Sequence, residues 1–540
     1  MDKIFNNIKN YLLFNRNYEK TSFVLKGSES SFGYDVRKEN PKKTDSDNVF
    51  SDIEENLAYV KRRFHYPLNN DIIIREITLK GGCRAFVLFI DGMVTTESVD
   101  LALIKTLLEI PYIAGESENV CDTAKERFIA HSQAMVTEKM DNVFEEVNFG
   151  SCAVFIDGCE KSILLDVRGW DHRSIDKPEN EKSIYGPQEA FSEMLRANTV
   201  LVRKIIKDEK LIAEGIKIGK KSKTRGVMLY ISDIANPALV NEVRKRLSGI
   251  DMDYVISVEE VAMMMEENTF TATTHFLETE RPDRVARALT QGRVAFILNG
   301  SPRVLIMPTN LFELTHAVSD DYLRVPYANM ARLIRLIAIG FSTLLPALYL
   351  AITLFHQEII PTYLLYSISA SRESVPFPSL VELLLMDLSF EMIREAGIRM
   401  PGPVGSTLGI VGGLILGQAA VSAKIVSPIM IIIIAITGIG SFATSDYSLS
   451  WSFRVMKLIF ILLAALLGFY GIAIGIFIYA LSLGSQTSFG VPFLSPPLKA
   501  RSKSTANAVF VNPVWRREKR PGFLYTEDKN EKPEISRDWK

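Results

Sequence analysis

Four apolar segments in the C-terminal part of the chain are each long enough to cross a membrane. A helix needs about 20 apolar residues to span the hydrocarbon core of a bilayer, and the segments lie at residues 333–355, 404–423, 425–443 and 458–483. The last three contain no charged residue. Because lipid satisfies no backbone polar group, such segments cross a membrane as helices. The sequence therefore predicts an α-helical polytopic membrane domain at 329–486.

The residues before this domain have the mixed composition of a soluble protein. With 62 Lys and Arg residues against 63 Asp and Glu residues, the whole chain has no basic excess that would indicate a nucleic-acid partner. Residues 1–56 are polar and contain no secretory signal, so a cytoplasmic location is predicted for the soluble region. They are too poor in large apolar groups to offset the entropy of ordering, so a flexible segment is predicted there.

A short apolar element recurs in the soluble region. It reads AFVLFIDG from Ala85, AVFIDG from Ala153 and AFILNG from Ala295. Asp-Gly and Asn-Gly close tight hairpins, and another apolar run comes after the second and third copies, so antiparallel strand pairs are predicted. Helical patterns alternate with these runs. We therefore expect an α/β cytosolic region of two related lobes, at 57–178 and 179–328.

The soluble region has no spacing typical of catalysis. A duplicated catalytic loop at Asp91 and Asp157 is an alternative to simple turns, but Asp is common in turns for conformational reasons. Phosphate loops, H-E-x-x-H and G-x-S-x-G are all absent from the sequence. The four cysteines lack metal-binding spacing and are expected to be free thiols. The sequence predicts no enzyme, no cofactor and no metal site.

A charged helix is predicted between the first two apolar segments, at 379–397. Asp387, Glu391 and Arg394 lie on one face of it, with Glu395 beside them. The helix is amphipathic, so it can lie at the membrane interface, re-enter the membrane or cross it with its polar face covered. Solvated surface charge is the alternative interpretation of the carboxylates.

The distribution of basic residues predicts the topology. Two arginines at the start of the first apolar segment place the preceding lobes in the cytoplasm. The tail at 487–540 carries seven basic residues between Lys499 and Arg520, which favours the same side. Four crossings plus a non-crossing amphipathic helix satisfy both conditions. Arg454 and Lys457 would then lie on the disfavoured outer side, so five crossings with an external tail stay open.

Several long stretches of the chain resemble one known family. The run from Val375, VPFPSLVELLLMDLSFEMIREAGIRMPGPVGSTLGIVGGLILGQAAVSAKIVSP, closely resembles the A subunits of GerA-type spore germinant receptors. So do IYGPQEAF from Ile184, DIANPALVNEVRKRL from Asp233 and TERPDRVARALTQGRVAFILNGSPRVLIMPT from Thr279. The resemblance covers nearly everything between residues 56 and 497.

The resemblance implies an endospore-forming bacterium and the spore inner membrane. It also implies a complex with a transporter-like B subunit, to which nutrient recognition is chiefly attributed, and a lipoprotein C subunit. The A subunit of such a complex is expected to form a homo-oligomeric, pentameric channel that releases monovalent cations when nutrient binds. Two alternatives stay open, a transporter subunit, which would predict inverted repeats and broken helices, and a signalling scaffold that is only anchored by its helices.

Glycine recurs at every fourth position of the second apolar segment, at Gly405, Gly409, Gly413 and Gly417. At helical spacing these residues form one ridge, where the absence of side chains lets another helix approach closely. Self-association or tight packing within the bundle is predicted. A flexible, kink-prone helix is the alternative, because glycine also weakens helices.

The face opposite the glycine ridge is the predicted pore lining. At 100° per residue, Thr407, Val411, Leu414 and Gln418 point roughly away from the ridge. In a symmetric oligomer each position becomes a ring, and rings of Val411 and Leu414 are expected to form a constriction that closes by dewetting. Lipid contact is the alternative interpretation of these apolar residues.

The charged helix at 379–397 has a place in the same hypothesis. Asp387, Glu391 and Glu395 are expected to form an acidic vestibule that raises the cation concentration near one mouth of the pore. Arg394 partly cancels their charge.

Overall fold

The chain folds into two sheet-containing lobes followed by a bundle of helices. The structure is a computed structural model, and it describes residues 23–26, 48–79, 82–95, 97, 99–109, 134–169, 177–268, 271–399, 403–495 and 510–531. Most of the predicted polar segment at 1–56 lies outside the described residues.

The first lobe is a five-stranded antiparallel sheet in the order β1-β2-β4-β5-β3. Its elements are α1 (Ile53–Arg63), β1 (Ile72–Thr78), β2 (Arg84–Ile90), α2 (Lys105–Glu109), β3 (Ala134–Thr137), α3 (Met140–Phe149), β4 (Cys152–Ile156) and β5 (Ser162–Leu165). Successive residues of a strand point to opposite faces, so Val87 joins one apolar cluster and Phe86 the other. The cluster around Phe86 includes Val60 of α1 and Phe144 of α3, so these helices cover that face.

The second lobe repeats this topology. It comprises α4 (Leu195–Ile205), β6 (Leu211–Ile218), β7 (Thr224–Ile231), α5 (Pro237–Ser248), α6 (Val258–Met265), β8 (Leu277–Thr279), α7 (Pro282–Thr290), β9 (Val294–Leu298), β10 (Val304–Met307) and α8 (Leu311–Thr315). The strand order β6-β7-β9-β10-β8 is the order of the first sheet. The predicted fold class, an α/β region of two lobes followed by helices, is confirmed.

The recurring dipeptides close tight turns, as predicted. Gly158 and Gly300 come after β4 and β9 with φ of 78° and 91°, a region that favours glycine. Each turn leads into an antiparallel partner strand. The Asp157 carboxylate accepts a hydrogen bond from the backbone N–H of Ile53 (3.3 Å), which ties the turn to the start of α1. Asp157 therefore has a structural role.

The cysteines differ from expectation. Cys83 and Cys152 are free, but Cys159 is disulfide-bonded, and its partner is not among the described residues. The expectation of four free thiols is wrong, because spacing along the sequence carries no information about which cysteines meet after folding.

Seven helices form the C-terminal bundle within the described residues. They are α9 (Val325–Phe355), α10 (Thr362–Arg372), α11 (Ser379–Arg399), α12 (Pro403–Ser422), α13 (Pro428–Phe442), α14 (Tyr447–Leu467) and α15 (Phe469–Ser485). By length and composition, α9 and α14 are each able to cross a membrane, and α13 and α15 are shorter apolar helices. Helix α9 packs on α13 and α14, α14 packs on α15, and α11 packs on α12 and α13.

The segment at 458–483, expected to be one span, contains a reversal of the chain. Helix α14 ends at Leu467, and Gly468 has φ 61° and ψ −137°, which residues with a side chain rarely adopt. Helix α15 then folds back on α14, so that Gly471 lies against the backbone of Leu463. A lone glycine in an apolar run did not indicate this break.

One end of the bundle contacts the second lobe. The Arg335 guanidinium of α9 donates to the Thr315 carbonyl oxygen (3.0 Å). The Ser452 hydroxyl of α14 donates to the Ala272 carbonyl oxygen. Leu483, near the end of α15, belongs to a hydrophobic core of the second lobe. We call this the lobe end of the bundle.

The far end is marked by contacts between other helix termini. His356, just after α9, packs on Phe469 at the start of α15 (ring centroids 4.7 Å apart). Ser427, just before α13, donates to Glu382 at the start of α11 (2.6 Å). Together these contacts give six passes along the bundle, through α9 and α11 to α15. Helix α11 therefore runs the length of the bundle, and of the three placements considered for the helix at 379–397 this arrangement suits a crossing with the polar face covered by other helices.

The C-terminal tail returns to the second lobe. The Ser488 hydroxyl donates to the His275 carbonyl oxygen (2.7 Å). Farther along, the Arg520 guanidinium donates to the Thr290 carbonyl oxygen (2.8 Å). Six passes are an even number, so the tail and the lobes lie at the same end of the bundle. The number of membrane crossings and the side of the tail stay predictions.

Candidate functional site

Charged side chains meet inside the helical bundle, between α11 and α14. The Lys457 ammonium lies 2.5 Å from Asp387 and 3.6 Å from Glu391. Glu391 is also 3.4 Å from the guanidinium of Arg454 and 3.5 Å from that of Arg394. We call these five residues the charge cluster. Lys457 and Asp387 are each only 4% exposed, so this ion pair is buried.

Helical spacing explains the cluster. On α11, positions 387, 391 and 394 are three and four residues apart and share one face, as the sequence predicted. On α14, Arg454 and Lys457 are three residues apart and face them. In the sequence these two cations stood out only as an anomaly of topology. A signal was present, because a cation inside an apolar helix needs a counter-charge.

The cluster holds three cations and two carboxylates. Aromatic rings accommodate part of the excess positive charge. The Arg454 guanidinium lies 3.8 Å from the centroid of the Trp451 ring, and that of Arg394 lies 4.8 Å from the centroid of the Phe442 ring. Such cation–π contacts contribute roughly 0.5–2 kcal/mol each. Ionisable groups surrounded by apolar helices are costly to maintain and commonly mark functional sites.

A small cavity adjoins the charge cluster. Hydroxyl groups from three helices line it, those of Ser342 on α9, Thr437 and Ser441 on α13, and Ser450 on α14. Its volume of 10 Å³ is about the space that one water molecule needs. Within the part of the chain that the structure describes, this cavity is therefore too small for a hydrated ion.

A second buried carboxylate lies at the far end of the bundle. Glu382 is 0% exposed, and one of its oxygens accepts hydrogen bonds from the backbone N–H (2.5 Å) and the hydroxyl (2.6 Å) of Ser427. The Ser427 hydroxyl also caps α13 by accepting from the N–H of Met430. Glu382 was not identified from the sequence, because its partner is 45 residues away.

The predicted vestibule residues have different surroundings. Asp387 and Glu391 are paired with cations of the charge cluster, so their charge is neutralised within the chain. Glu395 is exposed. The acidic mouth stays a prediction, and the cations that face two of its three carboxylates come mainly from α14, a distant part of the sequence.

The predicted pore and packing residues are only partly described. The backbone of α12 is helical, but the side chains of Thr407, Val411 and Leu414 lie outside the described residues. Gln418 is exposed. Of the glycine ridge, Gly405 and Gly409 also lie outside the fully described part. These assignments stay predictions.

The described glycines of the ridge differ in their surroundings. A Cβ atom added at Gly417 would lie 3.6 Å from Ile431 of α13, an ordinary contact. A Cβ atom added at Gly413 would have no described atom within 4 Å. Among the described residues, the ridge therefore meets α13 at Gly417 and has no neighbour at Gly413.

A second group of charges lies where the second lobe meets α14. Glu278 of β8 is 3.4 Å from the guanidinium of Arg303. Burial, with the nearby charges of Glu259 and Asp446, raises the pKa of Glu278 to about 7 despite the opposing effect of Arg303. The ionised form of Glu278 therefore destabilises the folded protein.

This pKa predicts how stability depends on pH. The folded chain holds the Glu278 proton more tightly than the unfolded chain does, so stability falls as pH rises from 4.5 to about 7. The loss at pH 8 is on the order of 3 kcal/mol, at about 1.4 kcal/mol per pKa unit. Glu278→Gln should remove this loss, since Arg303 keeps Glu259 and Glu280 as partners. Urea unfolding of the full chain in detergent, followed by circular dichroism at pH 5 and pH 8, measures it.

The exposed Glu160 provides the control. The free energy of unfolding of Glu160→Gln should depend on pH as that of wild type does. Glu278→Gln should be more stable than wild type at pH 8 and equally stable at pH 5. If the free energy of unfolding changes equally with pH in all three proteins, then Glu278 is not desolvated in the folded protein.

The chain combines two α/β lobes with a bundle of apolar helices, and the bundle contains a buried charge cluster. This combination defines the class of protein to which the chain belongs. The sequence profile of the family described as "Bacillus/Clostridium GerA spore germination protein" matches residues 58–523. This chain belongs to the GerA family of spore germination proteins. The resemblance found in the sequence is confirmed.

Individual relatives are similar over most of the chain. Spore germination protein KA of Bacillus subtilis (strain 168) is 37% identical over 479 residues, covering 88% of this chain and 87% of the relative. Spore germination protein GerLA of Bacillus cereus is 34% identical, covering 89% and 98%. An uncharacterized membrane protein, YfkQ of Bacillus subtilis (strain 168), is 35% identical, covering 84% and 88%.

One solved structure aligns with the N-terminal part. It is the crystal structure of the N-terminal domain of the A subunit of the Bacillus megaterium spore germinant receptor GerK3. The alignment has 26% identity and a TM-score of 0.38, and it covers 48% of this chain and 95% of that domain.

Proposed function

We propose that this chain is the A-type subunit of a nutrient-responsive germinant receptor in the spore inner membrane. It acts as a homo-oligomeric, pentameric channel that releases monovalent cations and so triggers germination. It works with a transporter-like B subunit and a lipoprotein C subunit, and it is not an enzyme. Family membership supports the receptor role, and the relatives' names refer to spore germination.

One observation supports the oligomer above all. Helices α11 and α12 form an edge of the bundle with apolar side chains left uncovered, among them Leu388 (63% exposed), Met392 (64%) and Leu416 (39%). Apolar surface of this extent is covered by lipid or by another protein chain. On α12, a Cβ atom added at Gly413 would have no described atom within 4 Å, which suits the close approach of a helix from a second copy.

The membrane arrangement proposed here has six crossings. The six passes of the bundle support a common side for the lobes and the tail, and the basic residues of the tail support the cytoplasm as that side. The charge cluster then lies at membrane depth, between α11 and α14.

The ion route in this proposal runs between copies of the chain. Among the described residues, the cavity beside the charge cluster has room for about one water molecule, which is too little for a hydrated cation and favours a route between copies. The proposed lining is the stripe at Thr407, Val411, Leu414 and Gln418 of α12, repeated around the symmetry axis. The exposed position of Gln418 is compatible with it.

Cation flux from liposomes tests the channel. Purified full-length chain should release entrapped K⁺, and crosslinking in the same membranes should give a ladder that ends at the pentamer. Gly413→Leu, alone and combined with Gly409→Leu, should abolish both the ladder and the flux, because the added side chains keep neighbouring helices apart.

Gly484 of α15 is the matched control, since a Cβ atom there also has no described neighbour within 4 Å. Gly484→Leu should assemble and conduct like wild type. A chain that stays monomeric, or that assembles without any flux, would favour the scaffold. Saturable, substrate-dependent uptake would instead favour the transporter.

A further inference from the structure

A cleft lies where the second lobe, the base of α9 and the tail meet. It has a volume of 310 Å³. Arg287 of α7, Arg332 of α9, and Arg517 and Lys519 of the tail line it, and we call these four residues the arginine pocket. They come from three separate parts of the chain.

The aspartates of the pocket do not balance its cations. Arg332 shares the fully buried Asp320 with Arg335 (3.1 Å and 2.9 Å to one carboxylate oxygen). Arg287 and Arg517 in turn share Asp321. Two aspartates thus serve four arginines.

The remaining charges at the cleft leave an excess of positive charge. Glu531 acts on Arg287 and Arg517 as a third carboxylate, while Lys519 adds a further cation. The other arginines that line the cleft, Arg284 and Arg293, are already paired with Glu181 and Glu313, and Asp283 is paired with Arg281. Among the described residues, the cleft therefore carries two positive charges that lack a counter-charge.

Two further observations agree with an excess of positive charge. Arg332 is 7% exposed, and within the described part of the chain its Nη1 atom has no hydrogen-bond partner. A buried guanidinium N–H without an acceptor is costly. Burial and the charges of Arg517 and Arg332 lower the pKa of Arg287 to about 10.

We propose that the arginine pocket binds a phosphate group. The bound phosphate bridges the second lobe, α9 and the tail. The planar guanidinium groups present paired donors that match phosphate oxygens. A phosphate carries one to two negative charges, so it offsets the excess and gives Arg332 Nη1 an acceptor. The ligand is either a free phosphate compound or the headgroup of an anionic phospholipid.

The location fits both sources of phosphate. Arg332 lies within the first turns of α9, which begins at Val325, at the lobe end of the bundle. In the proposed membrane arrangement this is the level of the headgroups, so the lipid source rests on the proposed function. The free-phosphate source does not depend on membrane placement.

Binding is measured on the full-length chain without any use of ion flux. In detergent, inorganic phosphate at constant ionic strength should raise the midpoint of thermal unfolding relative to chloride. In nanodiscs, phosphatidylglycerol should raise it relative to phosphatidylcholine. Protection in the first measurement identifies a free phosphate ligand, and protection in the second alone identifies a lipid headgroup.

The variants separate the pocket from general charge. The double variant Arg287→Gln with Arg517→Gln should weaken the apparent affinity for phosphate at least tenfold. Arg517→Lys should weaken this affinity less, because lysine keeps the positive charge but lacks the paired N–H donors of a guanidinium group. Arg324→Gln removes an exposed basic residue next to the start of α9 and should bind like wild type.

Protection that survives the double variant, or that is equal in phosphate and chloride and in both lipids, would overturn the proposal. If the double variant does not fold, equilibrium binding of radiolabelled phosphate to Arg517→Lys and wild type decides instead. Loss of cation flux while phosphate binding is intact would contradict the proposed channel function. It would not contradict the proposed phosphate site.

Discussion

Lys457→Met should destabilise the helical bundle strongly. The Lys457 ammonium is the close partner of Asp387, and both are 4% exposed. Removing one member of a buried ion pair leaves a charge without compensation, which typically costs about 3–5 kcal/mol. We expect the variant to unfold at a much lower denaturant concentration than wild type, and to be poorly retained in membranes.

Asp387→Leu should also destabilise the bundle. The Lys457 ammonium keeps Glu391 at 3.6 Å, but three cations then share one carboxylate. The double variant Lys457→Met with Asp387→Leu removes both charges, and apolar replacement of a buried pair is often close to neutral. A double-mutant cycle then gives the coupling energy between the two residues.

Glu395→Gln is the control on α11, since Glu395 is exposed and should change stability by less than about 0.5 kcal/mol. Stability of Lys457→Met equal to that of wild type would mean that the pair is not desolvated in the assembled protein. A double variant that is stable but no longer responds to nutrient would assign the charge cluster to gating, whereas normal germination would assign it to folding alone.

The charge cluster also shows which part of the site can be predicted from sequence patterns and which part cannot. The face formed by Asp387, Glu391 and Arg394 results from helical spacing, which is local information. Its pairing with Arg454 and Lys457 spans 63 and 70 residues and depends on how two helices pack. Helix packing is fixed by shape and side-chain contacts across the bundle, which no periodicity along one segment specifies.

The sheets were more predictable. Short apolar runs and the glycine turns after β4 and β9 depend on a few adjacent residues, and both hairpins agree with the prediction. The equal strand order of the two sheets agrees with the repetition in the sequence. The reversal at Gly468 was missed, because a single glycine is also tolerated inside a continuous helix.

Val411→Ala and Leu414→Ala should open the channel in the absence of nutrient. In the proposed oligomer these residues form apolar rings that exclude water when the pore is closed. A smaller side chain widens the ring and lowers the cost of wetting it. We expect a severalfold rise in basal cation flux for each variant, a larger rise for the two together, and germination of spores without nutrient.

Larger side chains at the same positions should have the opposite effect. Leu414→Phe and Val411→Phe are expected to reduce flux below the wild-type level with nutrient present, because the bulkier side chains meet at the symmetry axis. Effects of opposite sign at one position are characteristic of a constriction, since a general loss of stability would lower flux with either change.

Ile415 provides the matched control for this helix. It is adjacent to Leu414, so it points about 100° away, and it is 61% exposed in the single chain. Ile415→Ala should leave basal flux unchanged. Cysteines placed at Thr407, Val411, Leu414 and Gln418 should react with a water-soluble thiol reagent, with the two apolar positions reacting only after nutrient is added. If all four are inert and the alanine variants conduct as wild type does, α12 does not line the ion route, and the route lies along another helix.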